Sequence, residues 1–244
     1  MAEVRGGKMT VILLALILAV SSATIISVFS QRLDGAMLNK STELLGADLR
    51  ILSREEIPPL WYQQAEDLGL KTATTLEFPS VVLLNQEMAL AAVKAVDDSY
   101  PLKGQLGTKK NALMKQGPNS GQVWLEPRLL ALLNAHIGDE VEVGAIKLKI
   151  SAVIINESDR AGNFYSLSPR LMMNLNDVAA AKLVQVGSRV SFRMLVAGDR
   201  LAVNMLQQEL EPLLASHQSF ESLTDNNQAL AASLAKARSY LSLA

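Results

Sequence analysis

Cysteine is absent from the 244 residues, which rules out disulfides, thiolate metal sites and cysteine nucleophiles together. Aromatic residues are scarce at 5%, so the hydrophobic share of 49% rests on Ala, Leu, Ile and Val. Neither a long basic run nor a long acidic run occurs. A formal net charge of −1 gives no electrostatic case for nucleic acid or for a highly charged ligand. Only two histidines are present, His136 and His217, 81 positions apart and without a ligand pattern around them, so a two-histidine metal site is not expected. Phosphate-binding loops, serine elbows and paired-histidine zinc motifs are missing as well. Gly104-Gln-Leu-Gly107-Thr-Lys-Lys has the wrong spacing for the first of these and reads as a solvated turn.

What the chain does have is one uncharged apolar stretch, Met9 to Ser30. As a helix, its 22 residues extend about 33 Å, which matches a hydrocarbon core of about 30 Å. Twelve of them are Val, Ile, Leu or Phe, favouring insertion by roughly 4 to 7 kcal/mol. Ser21, Ser22, Thr24 and Ser27 reduce that figure without reversing it, because each hydroxyl can bond to its own helix backbone. The rival reading is a cleaved secretory signal, with Arg5 and Lys8 as the basic region and Ser21-Ser22-Ala23 as the cleavage site. The apolar run resumes at Ile25, Ile26, Val28 and Phe29, which favours an uncleaved anchor. Either way the downstream chain crosses the membrane. Arg5 and Lys8 precede the span while Arg32 and Lys40 follow it, so the charge bias that sets orientation is modest.

Beyond the span, 31–45 carries apolar residues at helical spacing and Gly46 is a natural stop. Strands are expected at 48–52, at 71–84 with an interruption at Pro79, and at 88–96 after a turn at Asn85. A short helix at 60–68 starts after Pro58-Pro59 and closes at Gly69. Residues 97–121 are rich in Gly, Pro, Asn and Ser and read as a junction. A β-rich unit follows, with strands at 123–125, 140–143 and 145–155 and a helix from Pro127 to Leu133. Ser168-Pro169 is expected to open a helix reaching Leu175. A strand at 187–197, a helix from Asp199 to about Leu214, an extended piece at 220–223 and an amphipathic helix at 226–243 complete the order.

Three acidic pairs, Glu55-Glu56, Asp97-Asp98 and Asp139-Glu140, could in principle share a proton or a cation. All three fall at the ends of expected elements, where Asp and Glu serve turns and caps. An enzyme reading would require Asp97, Asp98 or Glu126 to share a deep pocket. Asn39-Lys-Ser41 and Asn156-Glu-Ser158 fit a glycosylation pattern that is frequent by chance. Trp61, Trp124, Phe164 and Tyr165 read as packing residues. No catalytic, cofactor-binding or metal-binding residue is assigned, and no enzyme is expected.

Several short stretches, taken in order, resemble bacterial ABC transporter permeases of the MacB/FtsX/LolC-like superfamily, particularly the large YbbP-like permeases. They are Glu43-Leu-Leu-Gly-Ala-Asp-Leu49, Phe78-Pro-Ser80, Val96-Asp-Asp-Ser-Tyr-Pro-Leu102, Val123-Trp-Leu-Glu-Pro-Arg-Leu-Leu130, Ile137-Gly-Asp139 and Gly187-Ser-Arg189. The resemblance covers nearly the whole chain from Met9 to Ala244. It implies an α+β architecture in the bacterial inner membrane: residues 1–8 cytoplasmic, a transmembrane helix over 9–30, and a stalk helix over 31–45. A porter-like periplasmic part, 46–100 with 187–223, then carries an inserted β-rich part, 101–186. A second stalk helix, 224–244, leads toward a further span. The implied function is mechanotransmission, in which a separate cytoplasmic ATPase drives helix movements that reshape the periplasmic domain and so export or extract an envelope component. A periplasmic lysophospholipase or thioesterase is an implied partner, and nucleic acid is not. A complete permease of this kind has at least four spans and one is found here. The chain is therefore expected to be a fragment or truncated form, or else a single-span binding or adaptor protein.

Overall fold

The structure is a computed structural model and describes residues 16–18, 20, 21, 24, 46–160, 167–185 and 187–222. It divides into two units, Met1–Lys40 and Ser41–Ala244. In the first, the described residues are helical, and Thr24 Oγ1 donates to the Val20 carbonyl at 2.8 Å, the backbone bond expected of such a hydroxyl. Apart from those positions, the expected span over 9–30 lies outside the described residues, as do the expected stalk helices over 31–45 and 224–244. Among the described residues, no helix is long and apolar enough to cross a membrane.

The second unit is dominated by sheet. Its strands are β1 (Leu49–Ser53), β2 (Lys71–Leu84), β3 (Glu87–Val96), β4 (Leu106–Thr108), β5 (Gln122–Leu125), β6 (Glu140–Val143), β7 (Ile146–Glu157), β8 (Arg170–Asn174), β9 (Ser191–Ala197) and β10 (Gln218–Ser222). Among the described residues, four α-helices join them: α1 (Pro59–Asp67), α2 (Pro127–Leu132), α3 (Val178–Ala181) and α4 (Arg200–Leu210). The strands run in the order β10-β1-β9-β2-β3-β8-β5-β7-β4, and β6 pairs with both β2 and β7. That double pairing closes a ring of six strands, β2-β3-β8-β5-β7-β6. Strands β2 and β3 come from the segment expected to be porter-like, and the other four from the segment expected to be inserted.

Period-2 alternation decides what fills the ring. Leu76, Phe78, Val93, Ala95, Leu171, Met173, Val141 and Ile150 point inward to form its core, which Leu129 and Leu133 of the α2 region join. The open β10-β1-β9 sheet forms a second core with α1 and α4, where Trp61, Ala65, Leu206 and Leu210 meet Leu49, Ile51, Met194 and Val196. Each helix has its expected boundary chemistry. Pro occupies the first turn of α1 and Gly69 closes it at a φ of 72°. Asp199 caps α4 by accepting from the Leu201 amide at 2.9 Å.

Two expectations fail here. The helix expected from Ser168-Pro169 to Leu175 is a strand, β8, with all five residues buried. Leu-Met-Met favours a helix locally, and Ser-Pro opens a strand as readily as a helix. Tertiary context decides, because β8 runs parallel to β3 and antiparallel to β5 and supplies backbone partners to both. Helix returns only at α3, after a tight turn at Leu175–Asp177.

Pro79 does not interrupt β2. It lies opposite Ala92, and the Ala92 amide donates away from β2, to the Pro169 carbonyl at 2.9 Å. Opposed antiparallel residues orient alike, so the Pro79 nitrogen also points away from β3. On that side β9 pairs β2 only as far as Glu77, and β6 begins at Val82. The missing N–H therefore falls in a gap where no ladder bond is needed.

Candidate functional site

Alternation that sends apolar residues into the cores sends charges to the opposite face. Arg50, Glu77, Lys94, Arg170 and Arg193 come from five strands, and all are buried. Lys94 is directly opposite Glu77 across the β2–β3 ladder. The outside of the ring is covered there by a third apolar cluster that includes Tyr100, Leu106, Trp124, Ile154 and Met172.

Two more acids arrive from β7. This strand has two register irregularities: Ser151 is skipped against β5 and Ile155 against β4. Bulges of this kind bend and twist a strand. The bent end of β7 and the turn after it deliver Glu157 and Asp159 to Lys94.

The Lys94 ammonium donates to Glu157 Oε1 at 2.9 Å, to Asp159 Oδ2 at 2.7 Å and to the Tyr100 hydroxyl at 2.8 Å. Tyr100 in turn donates to Asp159 Oδ1 at 2.6 Å. Arg170 Nε donates to Glu157 Oε2 at 3.0 Å, and Arg193 Nη1 lies 2.7 Å from Glu77 Oε1. Toward the rim, Arg50 Nη1 meets Glu221 of β10 at 3.1 Å.

Four groups of the network are displaced from their ordinary values by burial and by one another. Burial alone would raise the Asp159 carboxyl, but Lys94 and Arg50, with hydrogen bonds from Lys94 and Tyr100, bring it down to about 2. Glu77 faces the same burial penalty, and Arg193, Arg170 and Lys94 outweigh it, so its carboxyl is also lowered. Burial and the neighbouring carboxylates of Asp159 and Glu157 push the Tyr100 phenol well up. Arg170 is raised despite burial by Glu157 and Glu77. The network joins charges contributed by separate strands. It can fasten segments together.

Close to the network lies the first described stretch of the domain, residues 46–48. A side chain added at Gly46, whose φ is 69°, would stand 3.1 Å from Asp159 Cβ. The Gly46 carbonyl accepts from the Lys103 amide at 3.1 Å. Asp48 accepts from Lys103 Nζ and, through its other oxygen, from the Gly198 amide at 3.0 Å. Residues 46–48 are thus bonded to the loop after β3 and to the end of β9, with Gly46 packed close to Asp159.

None of the acidic pairs singled out in the sequence forms an acid–base site. Asp97 accepts from the amides of Thr74 and Ser99, whereas Asp98 accepts from Asn174 Nδ2. Burial raises the Asp97 carboxyl, and the amide bonds offset part of that. Glu126 bonds Arg160 and the Arg170 amide. None of the three lines either of two sizeable cavities, of about 770 and 830 Å³. Asp139 accepts from the His136 amide in a turn, and Glu55 and Glu56 are exposed. His136 and His217 do not meet. His136 lies near Asp139 and His217 near Glu55, and no cluster of three metal-ligating side chains occurs among the described residues. Trp61 and Trp124 are core residues. Asn156 donates to Gln105, while Phe164, Tyr165, Asn39 and Ser41 lie outside the described residues. Sequence reasoning missed the ionic network, although lone charges inside apolar strands, Lys94 in Ala91-Ala-Val-Lys-Ala-Val96 and Arg193 in Phe192-Arg-Met-Leu195, were its visible signal.

No family model matches the chain. Over 241 residues, 99% of its length, it is 35% identical to YbbP of Escherichia coli K12, an uncharacterized ABC transporter permease. The resemblance to a YbbP-like permease thus holds over nearly the whole chain. The chain spans about 30% of that relative's length. In structure it resembles the periplasmic region of MacB from Actinobacillus actinomycetemcomitans, with a TM-score of 0.51 at 14% identity, over 79% of this chain and 97% of that one. The extracellular domain of the ABC-type transporter YknZ from Gram-positive bacteria gives a TM-score of 0.44 at 9% identity, over 71% of this chain and all of that one. The second unit thus has the fold of a MacB periplasmic region.

Proposed function

We propose that the chain is the membrane-anchored periplasmic region of an ABC transporter permease. In this role it couples helix movement, driven by a separate cytoplasmic ATPase, to the handling of an envelope component. The observation that carries this reading is the 35% identity to a permease over 99% of the chain. Residues 9–30 would anchor it in the bacterial inner membrane with the N-terminus cytoplasmic, and 31–45 and 224–244 would act as stalks. Residues 46–100 with 187–223 would form the part joined to the stalks, and 101–186 the insert, with β2 and β3 common to both through the closed ring. A periplasmic lysophospholipase or thioesterase would be a partner of the whole permease.

The ionic network gives the coupling a physical basis. Buried ion pairs cost desolvation and add little net stability compared with apolar packing. Here they hold β2, β3, β7, β8 and β9 in one arrangement, and the Lys103–Asp48 pair fastens residues 46–48 to the loop after β3, so that a displacement at residue 46 is passed to the ring instead of being absorbed. The absence of cysteine offers a clean test of topology. A single cysteine replacing Leu201, which is 74% exposed, should react with a membrane-impermeant maleimide in cells whose outer membrane alone is permeabilised. Labelling only after the inner membrane is broken would refute the proposed location.

A further inference from the structure

A second concentration of charge lies away from the buried network, where three strand ends meet. Beyond the last β1 pairs, Ser53 with Phe192 and Ser53 with Gln218, the chain continues into Arg54, flanked by the segments carrying Arg189 and His217. These side chains, with the hydroxyls of Ser53, Ser191 and Ser219, line an open cleft of about 770 Å³. Elsewhere in the domain buried arginines are neutralised: Arg50, Arg170 and Arg193 each face a carboxylate. Arg54 and Arg189, by contrast, are exposed and make no ion pair or hydrogen bond among the described residues.

We infer that this cleft binds a phosphate-bearing anion. Two guanidinium forks offer paired N–H donors suited to a phosphate oxygen pair. Serine hydroxyls supply the shorter neutral donors around them. The Ser53 oxygen already accepts from the Glu55 amide at 3.0 Å, so its O–H remains to donate. A concave wall concentrates the potential of the two arginines although the whole chain is nearly neutral. One carboxylate opposes binding: Glu55 Oε2 stands 3.6 Å from His217 Nε2, with its side chain 76% exposed. It is free to swing away when an anion arrives, and acts as a built-in competitor.

The cleft sits at the end of β1 and β10 opposite to Leu49 and Ser222, about 15 Å along the strands from them. A phosphate oxygen pair is common to soluble phosphate esters and to lipid headgroups, and the arms of the test distinguish the two sources. The inference does not depend on the permease reading.

The test is isothermal titration of the full chain in detergent with inorganic phosphate, with glycerol 3-phosphate, and with phosphatidylcholine vesicles with and without phosphatidylglycerol. Phosphate or glycerol phosphate should bind with millimolar affinity or tighter, and Arg54→Gln with Arg189→Gln should weaken it by about tenfold or more. Glu55→Gln should strengthen it. Replacing Lys109 and Lys110, exposed cations of the other cavity, by Gln should change nothing. Circular dichroism should show every variant folded, since the replaced side chains are exposed. Binding seen only with phosphatidylglycerol vesicles, and lost in the arginine variant, would support the site and assign it to a lipid headgroup. No binding of any probe, equal loss in the lysine variant, or no loss in the arginine variant would overturn it.

Discussion

Replacing Lys94 by Met tests the ionic network most directly. Methionine matches the length and volume of the lysine stem, so the substitution removes charge and hydrogen bonds with little change in packing. Lys94 is fully buried, and its ammonium donates to Glu157, Asp159 and Tyr100 at 2.7 to 2.9 Å. Taking it away leaves two buried carboxylates facing each other without their shared counter-charge. Breaking a buried pair from one side costs about 3–5 kcal/mol, a large part of the 5–15 kcal/mol typical of a whole domain. For a domain of this size that lowers Tm by roughly 6–20 °C. Urea unfolding followed by tryptophan fluorescence reads the loss, and the two tryptophans divide the reporting. Trp124 shares a cluster with Tyr100, beside the network, whereas Trp61, on α1, lies in the core with Leu206 and Leu210 of α4. Lys94→Met combined with Asp159→Asn removes one of the stranded charges and should recover about 1–3 kcal/mol through the coupling of the pair. A loss below about 1 kcal/mol for the single variant, or a double variant no more stable than the single, would refute the account of the network.

Further outcomes follow from the same geometry. Asp159 is held at about 2 against a usual 3.8, and Glu77 is also lowered. A depressed carboxylate contributes its full stability above its unfolded value and loses it as pH falls through the folded one. The urea midpoint should therefore be flat from pH 7 to about 5 and drop between about 4 and 2, by ~2 kcal/mol for Asp159 alone; Asp159→Asn should flatten that drop. Gly144 has a φ of 62° and its added Cβ would lie 2.2 Å from the Ala181 carbonyl oxygen, while Gly121 at 79° has nothing within 4 Å. In thermal melts Gly144→Ala should consequently cost about 2 kcal/mol or more and Gly121→Ala about 1 kcal/mol; equal losses would contradict the close approach. Asp199→Ala removes the cap of α4 and should cost about 1 kcal/mol in chemical denaturation.

Local chemistry made much of the fold legible before the structure was known. The β2–β3 hairpin, the proline start and glycine stop of α1, and the Asp199 cap are written in adjacent residues, and each appears within a residue or two of its expected place. Failures occur where the deciding partner is distant. Arg170–Asn174 becomes a strand because β3 and β5, some fifty to eighty positions upstream, flank it on both sides. The closed ring depends on Val82 and Leu83 pairing with β6, sixty positions away, a contact that no local pattern announces. For the ionic network only half the signal is local. Alternation marks Glu77, Lys94, Arg170 and Arg193 as charges in apolar strands, but the bulges that bring Glu157 and Asp159 over them exist only in the assembled sheet.

Strands β1 and β10 are antiparallel neighbours with Leu49 opposite Ser222, so the chain reaches and leaves the sheet at adjacent points on its edge. Two handles side by side make the response to force depend on direction. Moved together, they carry the domain as one body, with every ladder bond loaded evenly. Drawn apart, they peel β10 from β1 like a zipper, breaking one pair at a time from Leu49–Ser222 toward Ser53–Gln218, with the half-buried Arg50–Glu221 pair the second to give. The same edge is a rigid grip for translation and a weak seam for separation.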